Sequence, residues 1–562
     1  MFGFVPLFLN VEVTMRRWVR RGLPLMAGIV LGVAGTTLGS IAASSPGPAT
    51  HPQSLIVSTG AGQIEGRTTG TVDQFLGVPY AAPPTGALRW QPPQPVTPWT
   101  GVRSALSYGG RCAQLTNGNG PRIDNEDCLY LNVYAPAVIP SGKTLPVMFM
   151  IHGGGLTTGA GDQQDGSLLA SAQNIIVVSV NYRLGPFGFL ALPGLDSGAT
   201  ANGDFGLLDQ EAALRWVRQN IAGFGGDPGQ VTIAGESAGG WSVCGLLASP
   251  PARGLFARAI MESGSCVSQS LATAQQAGAA LAAKVGCPST GAGAATVAAC
   301  LRAVPEATLL SASSSYQPLL TVGGSDLPVA PEQAVTSGNY TKVPILMGTN
   351  HDEGRTFAQG DANLTEAQYV QYVDAAFGAL APQVLAHYPW SAYPHPYTAA
   401  YAIGAIETDA GLVGGIGGCP EQNLAGTLAG TGSATWFFQF DDRHAPGLNN
   451  DLPGYQWGAG HAMELAYLWP SFTNGFSLYA ELTPAQLQLS RQMIAYWGAF
   501  VRTGVPSAPG SPRWPRYSAG RPGRTQLMSL RPGGASRVIG GPEFAAEHQC
   551  SFWNGAGQGA EG

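Results

Sequence analysis

The chain has 562 residues, of which 44% are hydrophobic and 11% charged, with 79 Gly and 43 Pro. That is enough apolar material for a large buried core, and no stretch is polar enough for a long disordered region; a length allowing about three or four domains also fits one long α/β unit. The formal net charge is −6, Lys143, Lys284 and Lys342 are the only lysines, and no basic cluster lies beyond the N-terminus, so nucleic acid is excluded as a partner.

The first element along the chain is an export signal starting at Met15. Arg16, Arg17, Arg20 and Arg21 precede an apolar run at 23–38 and then small residues through Ala43, so cleavage falls near Ala42 or Ala43. The Arg16-Arg17 pair hints at twin-arginine export, and residues 1–14 are unlike any targeting segment, which makes Met15 a candidate true start. An uncut N-terminal anchor is the alternative, because the run approaches spanning length. The expected product is secreted, with no stable membrane insertion once the signal is removed.

In an exported chain, eight cysteines are expected to pair rather than bind metal. They are Cys112, Cys128, Cys244, Cys266, Cys287, Cys300, Cys419 and Cys550, without a CxxC. The first six fall into neighbouring pairs enclosing short loops, but eight cysteines allow on the order of 100 connectivities.

A Pro/Ser/Thr linker at 44–53 leads into one catalytic domain at 54–552, with a Gly-rich tail at 553–562. Segment 145–261 alternates apolar runs with helical patterns, which predicts βαβ crossovers and a mainly parallel sheet. Strands are predicted at 145–151, 175–181 and 231–234. Ala213, Trp216, Val217 and Ile221 share one face of an amphipathic helix at 209–221. Two further core strands are expected at 343–347 and 436–440, each followed by a loop at the end of the sheet where ligands bind. Segments 268–335 and 365–430 read as helical excursions over that edge, and 484–502, stopped by Gly504 and Pro506, as a late helix.

The sharpest signal is Gly235-Glu236-Ser237-Ala238-Gly239, which follows the strand at 231–234 and precedes an apolar helical segment at 241–248. This is a nucleophile elbow in the context it requires: the turn is too tight for flanking side chains, and it lifts the Ser237 hydroxyl above the sheet at a helix N-terminus. A chance match in a Gly-rich chain is the rival reading. His152-Gly153-Gly154-Gly155 follows the strand at 145–151, where backbone donors for an oxyanion belong; with Ala238, Gly154 and Gly155 supply three N–H groups.

A serine hydroxyl needs an imidazole to take its proton and an acid to orient that imidazole, in the chain order Ser, acid, His. Asp352 and Glu353 follow one predicted strand, and His444 and His461 follow another. Spacing does not choose within either pair.

Further motifs carry a resemblance. They are Gly77-Val78-Pro79-Tyr80-Ala81, Leu88-Arg89-Trp90, Glu126-Asp127-Cys128-Leu129-Tyr130-Leu131-Asn132, Asn181-Tyr182-Arg183 and Phe224-Gly225-Gly226-Asp227-Pro228. With the elbow, they make the chain similar to the type-B carboxylesterase and cholinesterase family across 57–552. The resemblance implies an α/β-hydrolase fold, hydrolysis of carboxylic esters through an acyl-serine intermediate, Ser237, Glu353 and His461 as the triad, and Gly154, Gly155 and Ala238 as oxyanion donors. It implies neither cofactor nor metal. It also implies Cys112–Cys128 and Cys287–Cys300 as short disulfide loops and Cys419–Cys550 as a longer one; Cys244–Cys266 rests on the even total. The loop between Cys112 and Cys128 has no aromatic residue, whereas in cholinesterases it carries a tryptophan that holds a quaternary ammonium. Nor does it have the apolar face of a lipase flap. Small or soluble esters are therefore expected as substrates, against the alternatives of lipase, amidase, or a catalytically idle binding protein on the same fold.

Overall fold

A computed structural model describes residues 54–559 apart from 117–119, 194, 196–202, 289–292, 473–476 and 519–524. The predicted signal and linker at 1–53 lie outside the described residues.

The strands are β1 Ser54–Thr59, β2 Gly62–Thr68, β3 Val72–Pro79, β4 Val102–Ser104, β5 Tyr130–Pro136, β6 Leu145–Ile151, β7 Ile176–Val180, β8 Gly226–Glu236, β9 Arg258–Glu262, β10 Gln269–Ser270, β11 Thr321–Val322, β12 Ile345–Asn350, β13 Thr435–Phe440, β14 Gln526–Leu530 and β15 Arg537–Gly540. Thirteen of them form one sheet in the order β1-β2-β3-β5-β7-β6-β8-β9-β12-β13-β14-β15, with β4 beside β2. From β7 to β14 neighbouring strands run parallel, while β1, β2, β3, β5 and β15 extend the edges antiparallel.

The alternation of side chains along each strand sends them to two different cores. On β6, Val147, Phe149 and Ile151 join one cluster with Val217, Val243 and Leu247 of the helices Phe205–Asn220 and Ala238–Ala248. Met148 and Met150 join the other, with Trp497 and Phe500 of the helix Pro484–Thr503. Both faces are covered, so β6 reads as an apolar run and β7 as one interrupted only by Ser179, whose hydroxyl donates to the Gly161 carbonyl. A third, smaller core forms around Trp90, Phe205, Leu281 and Leu301 beneath helices of the first excursion.

The parallel centre and its helices match the sequence pattern. The second excursion includes the helices Thr398–Ala410 and Gly418–Gly430, joined by a glycine-rich loop at 411–417. The helix Cys550–Gly559 runs on past Trp553, where the sequence pattern starts a Gly-rich tail; 560–562 lie outside the described residues. Disulfides join Cys112 to Cys128, Cys244 to Cys266, Cys287 to Cys300 and Cys419 to Cys550. Among the described residues no helix is long and apolar enough to cross a membrane.

Candidate active site

At the end of β8 the chain turns abruptly into the helix Ala238–Ala248. Ser237 makes the turn with φ 57° and ψ −124°, a region that L residues avoid, and its N–H donates to the Glu262 carbonyl at 2.9 Å. A Cβ at Gly235 would run into the carbonyl of Gly239, and one at Gly239 into that of Ile151, so both flanking glycines are required sterically. The turn projects Ser237 at the N-terminus of an eleven-residue helix, where the amide of Ala238 has no intrahelical acceptor.

Gly154 (φ 99°) and Gly155 (φ 61°) turn the loop after β6 toward this point. A Cβ on Gly153 would lie 2.6 Å from Glu236 Oε2 and 3.0 Å from the Cβ of Ser237, so the loop passes directly beside the elbow. Among the described residues no hydrogen bond takes the N–H of Gly154 or Gly155. The loop is fastened from below: Tyr182 donates its hydroxyl to the His152 carbonyl at 2.8 Å and stacks on the imidazole at 4.4 Å. Burial pushes the His152 imidazole down to about 4, so the ring under the loop is neutral. Arg183, two residues after Asn181, grips buried Asp209 at 2.7 and 2.8 Å.

Glu353 and His461 come from the loops after β12 and β13 and meet: His461 Nδ1 donates to Glu353 Oε2 at 2.7 Å. Glu353 is fully buried, and its other oxygen accepts from Ser263 Oγ at 2.6 Å, Thr349 Oγ1 at 3.0 Å and the Asn350 N–H at 2.7 Å. That collar fixes the carboxylate and with it the tautomer of the ring. Asp352 turns away, accepting from the Ala459 N–H at 2.9 Å and pairing with Arg355 and Arg443. His444 sits on an exposed loop, with its N–H bound to Asp442. Of the two pairs that spacing leaves open, Glu353 and His461 are brought together; Asp352 and His444 are not.

Glu236, whose place beside the nucleophile reads as that of a buried structural acid, is buried and brings Oε1 to 3.2 Å from His461 Nε2, an ion-pair distance without hydrogen-bond alignment. Sequence reasoning missed other parts of the shell. Phe357 covers the imidazole at 4.7 Å, and Asn350 links Glu464 to the Gly460 carbonyl. Burial raises Glu236 to about 7 and Glu262, held by Trp497 Nε1 at 3.1 Å, to about 8. Burial by itself lowers the His461 imidazole, but the carboxylates of Glu236 and Glu353 outweigh it, and the ring ends above its ordinary value.

The chemistry this arrangement offers is a hydroxyl on a strained turn beside free backbone donors and an imidazole oriented by a buried carboxylate. Among the described residues no cluster of His, Cys, Asp or Glu is arranged to hold a metal ion.

Comparison with known proteins agrees with the fold. The model of the carboxylesterase family matches residues 53–553. A para-nitrobenzyl esterase of Bacillus subtilis (strain 168) is 36% identical over 480 residues, covering 82% of this chain and 92% of its own. An acetylcholinesterase of Bungarus fasciatus is 33% identical, covering 89% and 86%. A solved structure of a PNB esterase superposes with a TM-score of 0.71 at 33% identity, covering 88% of this chain and 99% of its own.

Proposed function

The chain belongs to the carboxylesterase family and is a carboxylic ester hydrolase; from that premise we propose that it works through an acyl intermediate on Ser237, with His461 as proton carrier, Glu353 as its orienting acid and Gly154, Gly155 and Ala238 as oxyanion donors. The Ser237 oxygen attacks the ester carbonyl carbon while His461 Nε2 takes its proton, and the carbonyl oxygen gains negative charge facing the three amides. Collapse expels the alcohol, which receives the proton from His461. A water then repeats the sequence on the acyl-serine, releasing the acid.

The observation that carries this reading is the 2.7 Å bond between His461 Nδ1 and the fully buried Glu353, with the opposite edge of the ring turned toward the residue preceding Ser237. Small or soluble esters fit best, because the described parts of the loop between Cys112 and Cys128 carry no aromatic residue to receive a quaternary ammonium. Export follows from the Arg-led apolar segment near the N-terminus, and the four disulfides suit an oxidising compartment.

The test is labelling by a fluorophosphonate together with turnover of a chromogenic acetate ester. Label is expected on Ser237, and Ser237→Ala is expected to lose it and to lower kcat by roughly a million-fold. Unlabelled wild-type protein without turnover would instead indicate a binding protein on this fold.

A further inference from the structure

We propose that Trp241 is a specificity-determining residue that closes the acyl side of the site and restricts the acyl group to a few carbons. The inference rests on the acyl-serine reading above and extends it to substrate class.

Trp241 stands one turn after Ser237 in the helix Ala238–Ala248, and its N–H donates to the Ser237 carbonyl at 3.0 Å. A helical side chain leans toward the helix N-terminus and covers the turn preceding its own Cα. The turn beneath the indole is therefore the one that begins at Ser237. On its far side the ring meets the loop at 411–417. A Cβ at Gly414 would overlap the six-membered ring, and Gly414 (φ 59°) and Gly415 (φ 71°) both hold a conformation suited to glycine. The loop has given up side chains at the place where the indole needs room.

The wall is held on both sides. Ser265 Oγ donates to the Gly414 carbonyl at 2.5 Å, and the neighbouring Cys266 is bonded to Cys244 of the same helix. Trp241 is only 7% exposed, and its Nε1–H has no partner among the described residues. A phenylalanine or leucine would fill apolar space without leaving that donor unsatisfied, so packing alone does not account for an indole here.

The two arms of the ester can be assigned. The alcohol leaves with a proton from His461, whose ring is covered by Phe357, so the alcohol arm lies on that side. The acyl arm stays bonded to Ser237 Oγ, over the turn that Trp241 covers. On this assignment a methyl or ethyl group is expected to clear the indole, and a chain of eight carbons to meet it. Each methylene that a pocket accepts or rejects changes kcat/KM by on the order of tenfold.

The test uses the full chain and two series: p-nitrophenyl esters of increasing acyl length, and acetates of increasing alcohol size. In the wild type kcat/KM is expected to fall at least tenfold from acetyl to octanoyl, and Trp241→Ala is expected to raise the octanoyl-to-acetyl ratio at least tenfold, with the alcohol series keeping its order. Trp241→Leu, checked by thermal melting, makes the same comparison if the alanine variant does not fold. An octanoyl-to-acetyl ratio unchanged within threefold, no length discrimination in the wild type, or a shift confined to the alcohol series would overturn the assignment. Fluorophosphonate labelling separates the two levels. Labelled proteins with an unchanged ratio refute the role of Trp241 alone, whereas an unlabelled wild type removes the acyl-serine reading and this inference with it.

Discussion

The imidazole of His461 lies between two carboxylates, Glu353 at 2.7 Å on Nδ1 and Glu236 at 3.2 Å on Nε2. Both favour the charged ring and together overcome burial, so its value is raised. A general base must be neutral, and the active fraction therefore falls as pH drops through that raised value. The acid limb of a kcat/KM–pH profile is expected above the ordinary imidazole value of 6.5. Glu236→Gln removes one negative charge and is expected to move that limb to lower pH; a limb that stays in place would mean Glu236 carries no charge in the free enzyme. A second expectation concerns Asp209, fully buried and bonded to Arg183 through three groups. Asp209→Ala leaves that guanidinium buried and uncompensated and is expected to cost about 3–5 kcal/mol in a denaturant melt. Single residues were legible from the sequence where a steric rule singles them out, as at Gly235 and Gly239. Spacing did not choose Glu353 over Asp352, because two adjacent carboxylates satisfy it equally; the family resemblance pointed to Glu353, and the fold turns that carboxylate toward His461.

Secondary-structure elements were most readable where burial on both faces makes a strand uniformly apolar. β6 was expected at its observed bounds, and β13 within a residue of them. The helix Pro484–Thr503 announces both ends: Thr483 and Gln486 form a reciprocal cap, Pro484 opens the helix, and Gly504 ends it at φ 76°. Thr483→Ala is expected to cost about 1 kcal/mol, measured by reversible denaturation. The antiparallel edge from β1 to β5 left a weaker trace. β1 alternates half-buried with exposed positions and β2 has only two buried ones, over six or seven residues, a pattern too short to separate from an ordered turn. The excursions were recognisable as helical but not placeable, since Ala and Gly positions carry little pattern; the loop at 411–417 shows its purpose only once the indole of Trp241 is seen beneath it.

At the scale of the molecule, a second polar cluster joins the C-terminal helices to the loop that bears Glu353. The His351 ring lies 4.9 Å from that of His548, between Asp352 at 3.3 Å and Glu547 at 3.8 Å, with Arg443 on Asp352; His548 in turn bonds Asp409 at 2.8 Å. Burial above all, then the charges of His548 and Arg443, lowers His351 below its ordinary 6.5 against the upward pull of Asp352. Its contribution to stability is full above 6.5 and is lost as pH falls below that value. Melting temperatures taken between about pH 7 and pH 5 should therefore drop, and His351→Gln should flatten that slope; an equally steep slope in the variant would assign the effect to other groups.

The bond from Cys419 to Cys550 spans 131 residues and brings the last helix against Tyr388 and the helices Thr398–Ala410 and Gly418–Gly430. Because ribosomes build proteins from the N-terminus, this buttress emerges after all three proposed reacting groups. A nascent chain that has not yet gained the last helix has its serine, acid and base all synthesised, yet lacks this brace. Hydrolytic competence would then arrive only once the last helix has been made and docked. A chain ending at residue 540 should therefore hydrolyse esters poorly even though every proposed reacting group is present.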